Sequence, residues 1–228
     1  MFGRVGETEF DLRFHIFGIP VRVHPLFWLV SVFFVWQSTE DPQLKLLGVL
    51  CMFSSILAHE LGHAIVIRRY GYPSDIVLHG MGGYATSTRF STWRQVWVSF
   101  AGPLAGFIVW GVVKATFYLL LHYNREALQN DAVWYSIWIL LFINGYWGLM
   151  NLLPIQPLDG GNIAQALITR YFPHRAEERV LQLSILASGA VAVYALSQLP
   201  ERRYLLFLFG YLCAQSVIRY NEIKGRRL

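Results

Sequence analysis

His59, Glu60 and His63 stand in the pattern His-Glu-x-x-His. On an α-helix, positions i and i+4 share a face, so both imidazoles can reach one metal ion. Zinc suits two imidazoles, and an open position of its tetrahedral site can hold water. Glu60 follows the first imidazole directly, so it can lie beside that water without being a ligand and act as general base. Chance matches to this pattern occur in long proteins. Here it lies in an apolar stretch, Leu44 to Ile67, where a carboxylate and two imidazoles are expensive in hydrocarbon without a purpose.

Two imidazoles do not complete a zinc site. Most Asp and Glu residues lie in tails and loops, and the exception is Asp159, in Asn151-Leu-Leu-Pro154-Ile-Gln-Pro157-Leu-Asp159-Gly160-Gly161. Pro154 and Pro157 lack backbone N–H groups and break a helix there. Gly160-Gly161 allows a tight turn and close backbone approach. A broken helix at membrane depth is tolerated only where it is buried or lines a polar cavity. Glu177 or Glu178 is an alternative third ligand, and a polar cluster satisfied between helices is the alternative to any metal site.

These residues need elements to hold them, and composition names the medium. The chain has 228 residues, 55% hydrophobic and 14% charged. Soluble domains average about 25% charged residues. Six apolar spans are read at about 25–38, 44–67, 95–122, 133–153, 180–199 and 204–217, in one integral-membrane domain, 1–228, with a catalytic core of about 44–165. The expected fold is an all-α polytopic membrane protein. Short β-strands precede the first span, where Phe10, Leu12, Phe14 and Ile16 alternate with polar residues, and others lie between spans two and three. Small residues in Ala101-Gly102-Pro103-Leu104-Ala105-Gly106 let helices approach closely, and Pro103 is expected to kink the third span.

The net charge of +5 does not indicate nucleic acid, because the basic residues are scattered. They are instead sided. Arg4, Arg13, Arg22, Arg68, Arg69, Arg89, Arg94, Arg170, Arg175, Arg179, Arg219, Lys224, Arg226 and Arg227 fall on one side of the six spans, against Lys45, Arg125, Arg202 and Arg203 on the other. The positive-inside rule then puts both termini in the cytoplasm. His63 comes about 7 Å and His59 about 13 Å before the basic boundary at Arg68. Asp159 lies just beyond the apolar part of the fourth span, which runs the same way. Both motifs therefore fall at the cytoplasmic side, where His59, His63, Asp159 and a water can meet. Cys51 and Cys213 lie in apolar stretches and read as small core residues. Asp11 and Arg13 stand where a signal peptide would be apolar, so no cleaved signal is expected.

The pair His-Glu-x-x-His and Asn-x-x-Pro-x-x-Pro-Leu-Asp-Gly-Gly resembles the site-2 protease family of intramembrane zinc metalloproteases. Ala-Gly-Pro-x-Ala-Gly at 101–106, His-Gly-Met-Gly-Gly-Tyr at 79–84 and Gly-Ile-Pro-Val-Arg-Val-His-Pro at 18–25 also fit it. The resemblance covers roughly 18 to 165. It implies that His59, His63 and Asp159 bind one zinc ion, that Glu60 is catalytic, and that Asn151 positions substrate or stabilises the oxyanion. The sequence departs from the family in size: no inserted PDZ-like domain and no C-terminal regulatory domain is read in it, so a compact form is expected. The implied activity is hydrolysis of peptide bonds in or near the transmembrane segment of membrane-protein substrates, in a cell membrane, by family analogy a prokaryotic inner membrane.

A helical substrate hides its carbonyls and must unwind, and an exposed edge strand can hold the extended segment. The candidate strands are Ile76, Val77, Leu78 and Tyr84, Ala85, Thr86, with a plain loop hairpin as the alternative. His79 is an accessory candidate. His15, His24, His122 and His174 read as interfacial or loop groups, and the tryptophans and tyrosines as interfacial anchors. The expected partners are extended transmembrane substrates and the lipid bilayer, with no nucleic acid. A zinc-binding sensor, transporter or scaffold without protease activity is the non-enzymatic alternative.

Overall fold

The computed structural model describes residues 6–36, 38–80, 82–85, 90–199 and 202–225. The chain clusters into two compact units, one of residues 1–89 and 101–150 and the other of 90–100 and 151–228.

The first unit opens with β1 (Leu12–Ile16) and β2 (Ile19–Val23), an antiparallel hairpin with Leu12 opposite Val23 and Ile16 opposite Ile19. Phe17 and Gly18 turn it with φ of 52° and 72°. Two successive positive φ values are what the tight turn matching strand twist requires. Asp11 braces the hairpin: Arg22 donates to its Oδ2 at 2.9 Å and the Thr8 hydroxyl to its Oδ1 at 2.7 Å. Burial opposes ionisation of Asp11, but the Arg22 and Thr8 hydrogen bonds outweigh it and lower its pKa to about 2.

Two helices follow, each with Pro at its first position, where a missing N–H costs nothing. α1 (Pro25–Val35) is capped by His24, whose Nδ1 accepts from the Leu26 amide at 3.1 Å. α2 (Pro42–Arg69) is capped by Asp41, which accepts from the Gln43 amide at 2.7 Å, and ends on Arg68 and Arg69. The cations complement the negative end of the helix dipole. Arg68 also reaches back to donate to the Gly18 carbonyl at 2.8 Å, tying the helix to the hairpin turn.

β3 (Ile76–His79) then pairs parallel to β2, and β4 (Gly82–Ala85) pairs antiparallel to β3. The two strand regions expected separately thus form one sheet in the order β1-β2-β3-β4. The period of two in β2 is decisive: Ile19, Val21 and Val23 are buried. They pack with Ile76 and Leu78 against Phe27 of α1 and Met52, Ile56, Leu57 and Ala64 of α2.

α3 (Thr92–Tyr123) is a 32-residue helix with Pro103 in its interior. A short 3₁₀ turn (Arg125–Gln129) leads to α4 (Asp131–Leu141). Its last turns widen into a π-helical segment, Phe142–Trp147, before α5 (Gly148–Asn151). The second unit contains α6 (Asp159–Tyr171), α7 (Ala176–Ser197) and α8 (Arg203–Gly225), with α6 and α8 both packed on α7. Sequence reading did not delimit α6 as a helix. Its apolar face is too short for a span.

Among the described residues, four helical stretches are long and apolar enough to cross a membrane: Pro42–Arg69, Thr92–Tyr123, Asp131–Asn151 and Ala176–Ser197. In the α3 window only 6% of the residues are buried, so its apolar side chains need an apolar medium outside the protein. The expectation of six spans is met in part. α1 is apolar but has 11 residues, about 16 Å of helix against a hydrocarbon core of about 30 Å. α8 has 23 residues, but Arg219, Glu222 and Lys224 in its last turns dilute its apolar character.

Candidate metal centre

α2 brings His59, Glu60 and His63 together as the i, i+4 rule requires. The imidazole planes meet edge to face, centroids 4.8 Å apart, and the two Nε2 atoms stand 3.1 Å from each other. A carboxylate oxygen of Glu60 completes a set of three ligand-type atoms within 4.8 Å of one another. Glu60 is 5% and His63 8% exposed, while His59 is half-buried. The donor set fits a metal ion. Two nitrogens bound to one tetrahedral zinc at about 2.0–2.1 Å lie about 3.3 Å apart, close to the spacing found.

Two neighbours frame this set within the first unit. Gly62 lies so close to α3 that an added Cβ would come within 2.3 Å of the Ala101 carbonyl oxygen. The two helices therefore touch backbone to backbone beside the histidines. On another side, Asn144 in the π-helical segment is 3% exposed. Its amide donates to Ser55 Oγ at 2.8 Å and to the Leu140 carbonyl at 2.9 Å, and Ser55 donates to the Cys51 carbonyl at 2.7 Å. Ser55 lies one turn before His59 on the same helix. The sequence reading passed over this pair, although a lone amide in the run Phe-Ile-Asn144-Gly-Tyr-Trp was a signal for it.

Asp159 and Asn151 belong to the second unit. Asn151 ends α5 and Asp159 starts α6, both half-buried. The intervening turn folds tightly: the Leu158 amide donates to the Ile155 carbonyl at 2.8 Å, and the Gln156 amide to Ser184 Oγ of α7 at 3.0 Å. The Gln156–Pro157 peptide is cis and Ile155 is fully buried. Gly160 and Gly161 are obligatory here, because added Cβ atoms would meet the Leu152 oxygen at 2.1 Å and the Ile155 oxygen at 2.5 Å. Asp159 is thereby held at the head of α6 by the turn that the Pro and Gly residues build. Glu177 lies in the first turn of α7, 3.8 Å from the Arg219 guanidinium.

The strand candidates divide. Ile76, Val77 and Leu78 form β3, which is paired on both sides, so its backbone is taken up by β2 and β4. This corrects the expectation that they offer an edge. The sheet's edges are β1 and β4, and of the candidates Tyr84 and Ala85 lie on the edge strand β4. Thr86 lies outside the described residues. His79 ends β3 opposite Gly82 and is 8% exposed. Burial, then the charges of His24 and Arg22, push its pKa below the usual histidine range.

The profile of peptidase family M50 matches residues 111–195, which include Asn151 and Asp159. The chain is 27% identical to a zinc metalloprotease of Methanocaldococcus jannaschii over 92% of its own length and 61% of the relative's. It is 34% identical to Rip3 of Mycobacterium tuberculosis over 79% of its length and 48% of the relative's. It thus spans about half to three fifths of these relatives. The fold is that of a solved site-2 protease from Methanocaldococcus jannaschii, with a TM-score of 0.60 at 22% identity, covering 92% of this chain and 95% of that one. In its motifs, fold and relatives the chain is thus similar to peptidase family M50 and to the site-2 proteases.

Proposed function

We propose that the chain is a zinc-dependent intramembrane endopeptidase, cutting peptide bonds in or near the transmembrane segment of membrane-protein substrates. The convergence of His59, Glu60 and His63 on one point of an apolar helix carries this reading. His59 and His63 would hold the ion through Nε2, and Asp159 is the proposed third ligand, supplied by the second unit. A zinc ion there supplies Lewis acidity, which acidifies a water and polarises a carbonyl. The Glu60 carboxylate takes the proton of the attacking water and passes it to the departing amide nitrogen, leaving a carboxylate and an amine. Asn151 is proposed to donate a hydrogen bond to the carbonyl oxygen as negative charge gathers there. The edge of β4 is proposed to hold the unwound substrate by strand addition.

The protein is proposed to be multi-pass, with both termini and the active site toward the cytoplasm, by analogy in a prokaryotic inner membrane. α1 and α8 would complete the six spans, α1 only with help from local bilayer thinning. Asp159→Ala and Glu177→Ala, compared for zinc content, test the ligand set. Full zinc in the Asp159 variant would overturn it. Retained cleavage by Glu60→Gln would overturn the mechanism.

A further inference from the structure

Gly102 occupies a position that packing alone does not explain. A Cβ on Gly102 would stand 2.2 Å from His63 Nε2, 2.5 Å from its Cε1 and 2.7 Å from His59 Nε2. All three are shorter than a Cβ contact allows, so a side chain at 102 would collide with the ring nitrogens of both histidines. The vacant side-chain position at 102 is therefore the space that both imidazole nitrogens face. The same close approach of α3 to α2 is seen at Gly62, which lies against the Ala101 carbonyl.

We propose that Gly102 keeps the metal position open, and is an obligatory part of the site although it donates no ligand atom. This rests on the metal reading above. Alanine at 102 suits a helix but forces a methyl group against the two ring nitrogens that would hold the ion, so the methyl and the paired imidazoles exclude each other. Two glycines of the same helix are natural controls. A Cβ on Gly106 would meet Asn144 backbone and side-chain oxygens at 3.6 and 3.7 Å, ordinary contacts, and one on Gly111 would meet nothing within 4 Å.

The test uses the full chain, purified in detergent with zinc present. Zinc per chain is measured by mass spectrometry, and unfolding by circular dichroism. Gly106→Ala and Gly111→Ala should keep the wild-type zinc content. Gly102→Ala should lose zinc affinity by at least about ten-fold, the loss typical of disturbed surroundings of a metal site. Wild-type zinc in Gly102→Ala, or equal losses in the controls, would overturn the proposal. Should Gly102→Ala unfold early, the triple variant Gly102→Ala/His59→Ala/His63→Ala decides. Removing both rings should return the unfolding temperature to that of the double variant His59→Ala/His63→Ala. A triple variant that stays destabilised relative to that double variant means something other than the imidazoles excludes the methyl, and the proposal is wrong. A wild-type chain without zinc would instead overturn the metal reading itself.

Discussion

At the scale of single residues, Glu60 separates an enzyme from a binding site. A site that only stores or senses zinc has no use for a buried carboxylate beside its ligands. Glu60→Gln keeps shape and volume, so zinc content should stay at the wild-type level. Cleavage of a co-expressed single-span substrate should fall by about 10²–10⁴, the usual worth of a general base. His79 makes a different prediction. Its folded pKa lies below 6.5 because burial disfavours the charged form, so the unfolded chain takes up the proton first. Stability conferred by neutral His79 is complete above pH 6.5 and declines as the pH falls below it. Thermal unfolding between pH 7.5 and 5 should therefore show a smaller acid loss in His79→Gln than in the wild type. An identical slope would mean that His79 does not shape the pH response.

At the scale of elements, the turn between α5 and α6 is the most exacting piece of the structure. Gly160→Ala forces a methyl against the Leu152 carbonyl, a backbone atom that cannot swing aside. The cost should reach the upper end of the 1–3 kcal/mol typical of overpacking, about 3 kcal/mol. Gly189→Ala, whose Cβ meets Cys213 Sγ at 3.8 Å, should be almost neutral. Equal unfolding temperatures for the two would show that the turn is looser than its geometry. Asn144→Ala should cost about 1–3 kcal/mol by removing a buried hydrogen-bonded amide, read by the same unfolding curves. Some of these elements were legible in the sequence. Asp41-Pro42 and Arg68-Arg69 bracket α2, and the Pro and Gly residues of 154–161 announce a broken helix. What stayed hidden was long-range. β2 and β3 are 53 residues apart from Val23 to Ile76, and nothing local in either says that they pair. The likeness of Ile76-Val77-Leu78 to an edge strand was equally local, and pairing on both sides removed it. The Ser55–Asn144 bond needs α2 and the π-helical segment side by side, and the widening at Phe142–Trp147 has no composition signal of its own.

For the whole molecule, metal and membrane set the tests. A ligand that binds only the folded state stabilises it, by about 4 kcal/mol at a free concentration a thousandfold above Kd. Chelation should therefore abolish cleavage and lower the unfolding temperature, and zinc should restore both. An unfolding temperature indifferent to chelator would argue against a bound structural ion. Cysteine-labelling tags at both termini should react from the cytoplasmic face only. Labelling from opposite faces would mean an odd number of spans, and the sided basic residues would need a new account. The parallel pairing of β2 with β3 has a bearing on biogenesis. α1 and α2 lie between those strands, so the hairpin stands with a bare flank from the moment it leaves the ribosome until α2 has been threaded and turned back. By chain order, β3 and β4 can join β1 and β2 only after the helix bearing His59, Glu60 and His63 has been made and turned back. A chain stalled halfway would leave the β2 flank open to pairing with any extended segment nearby.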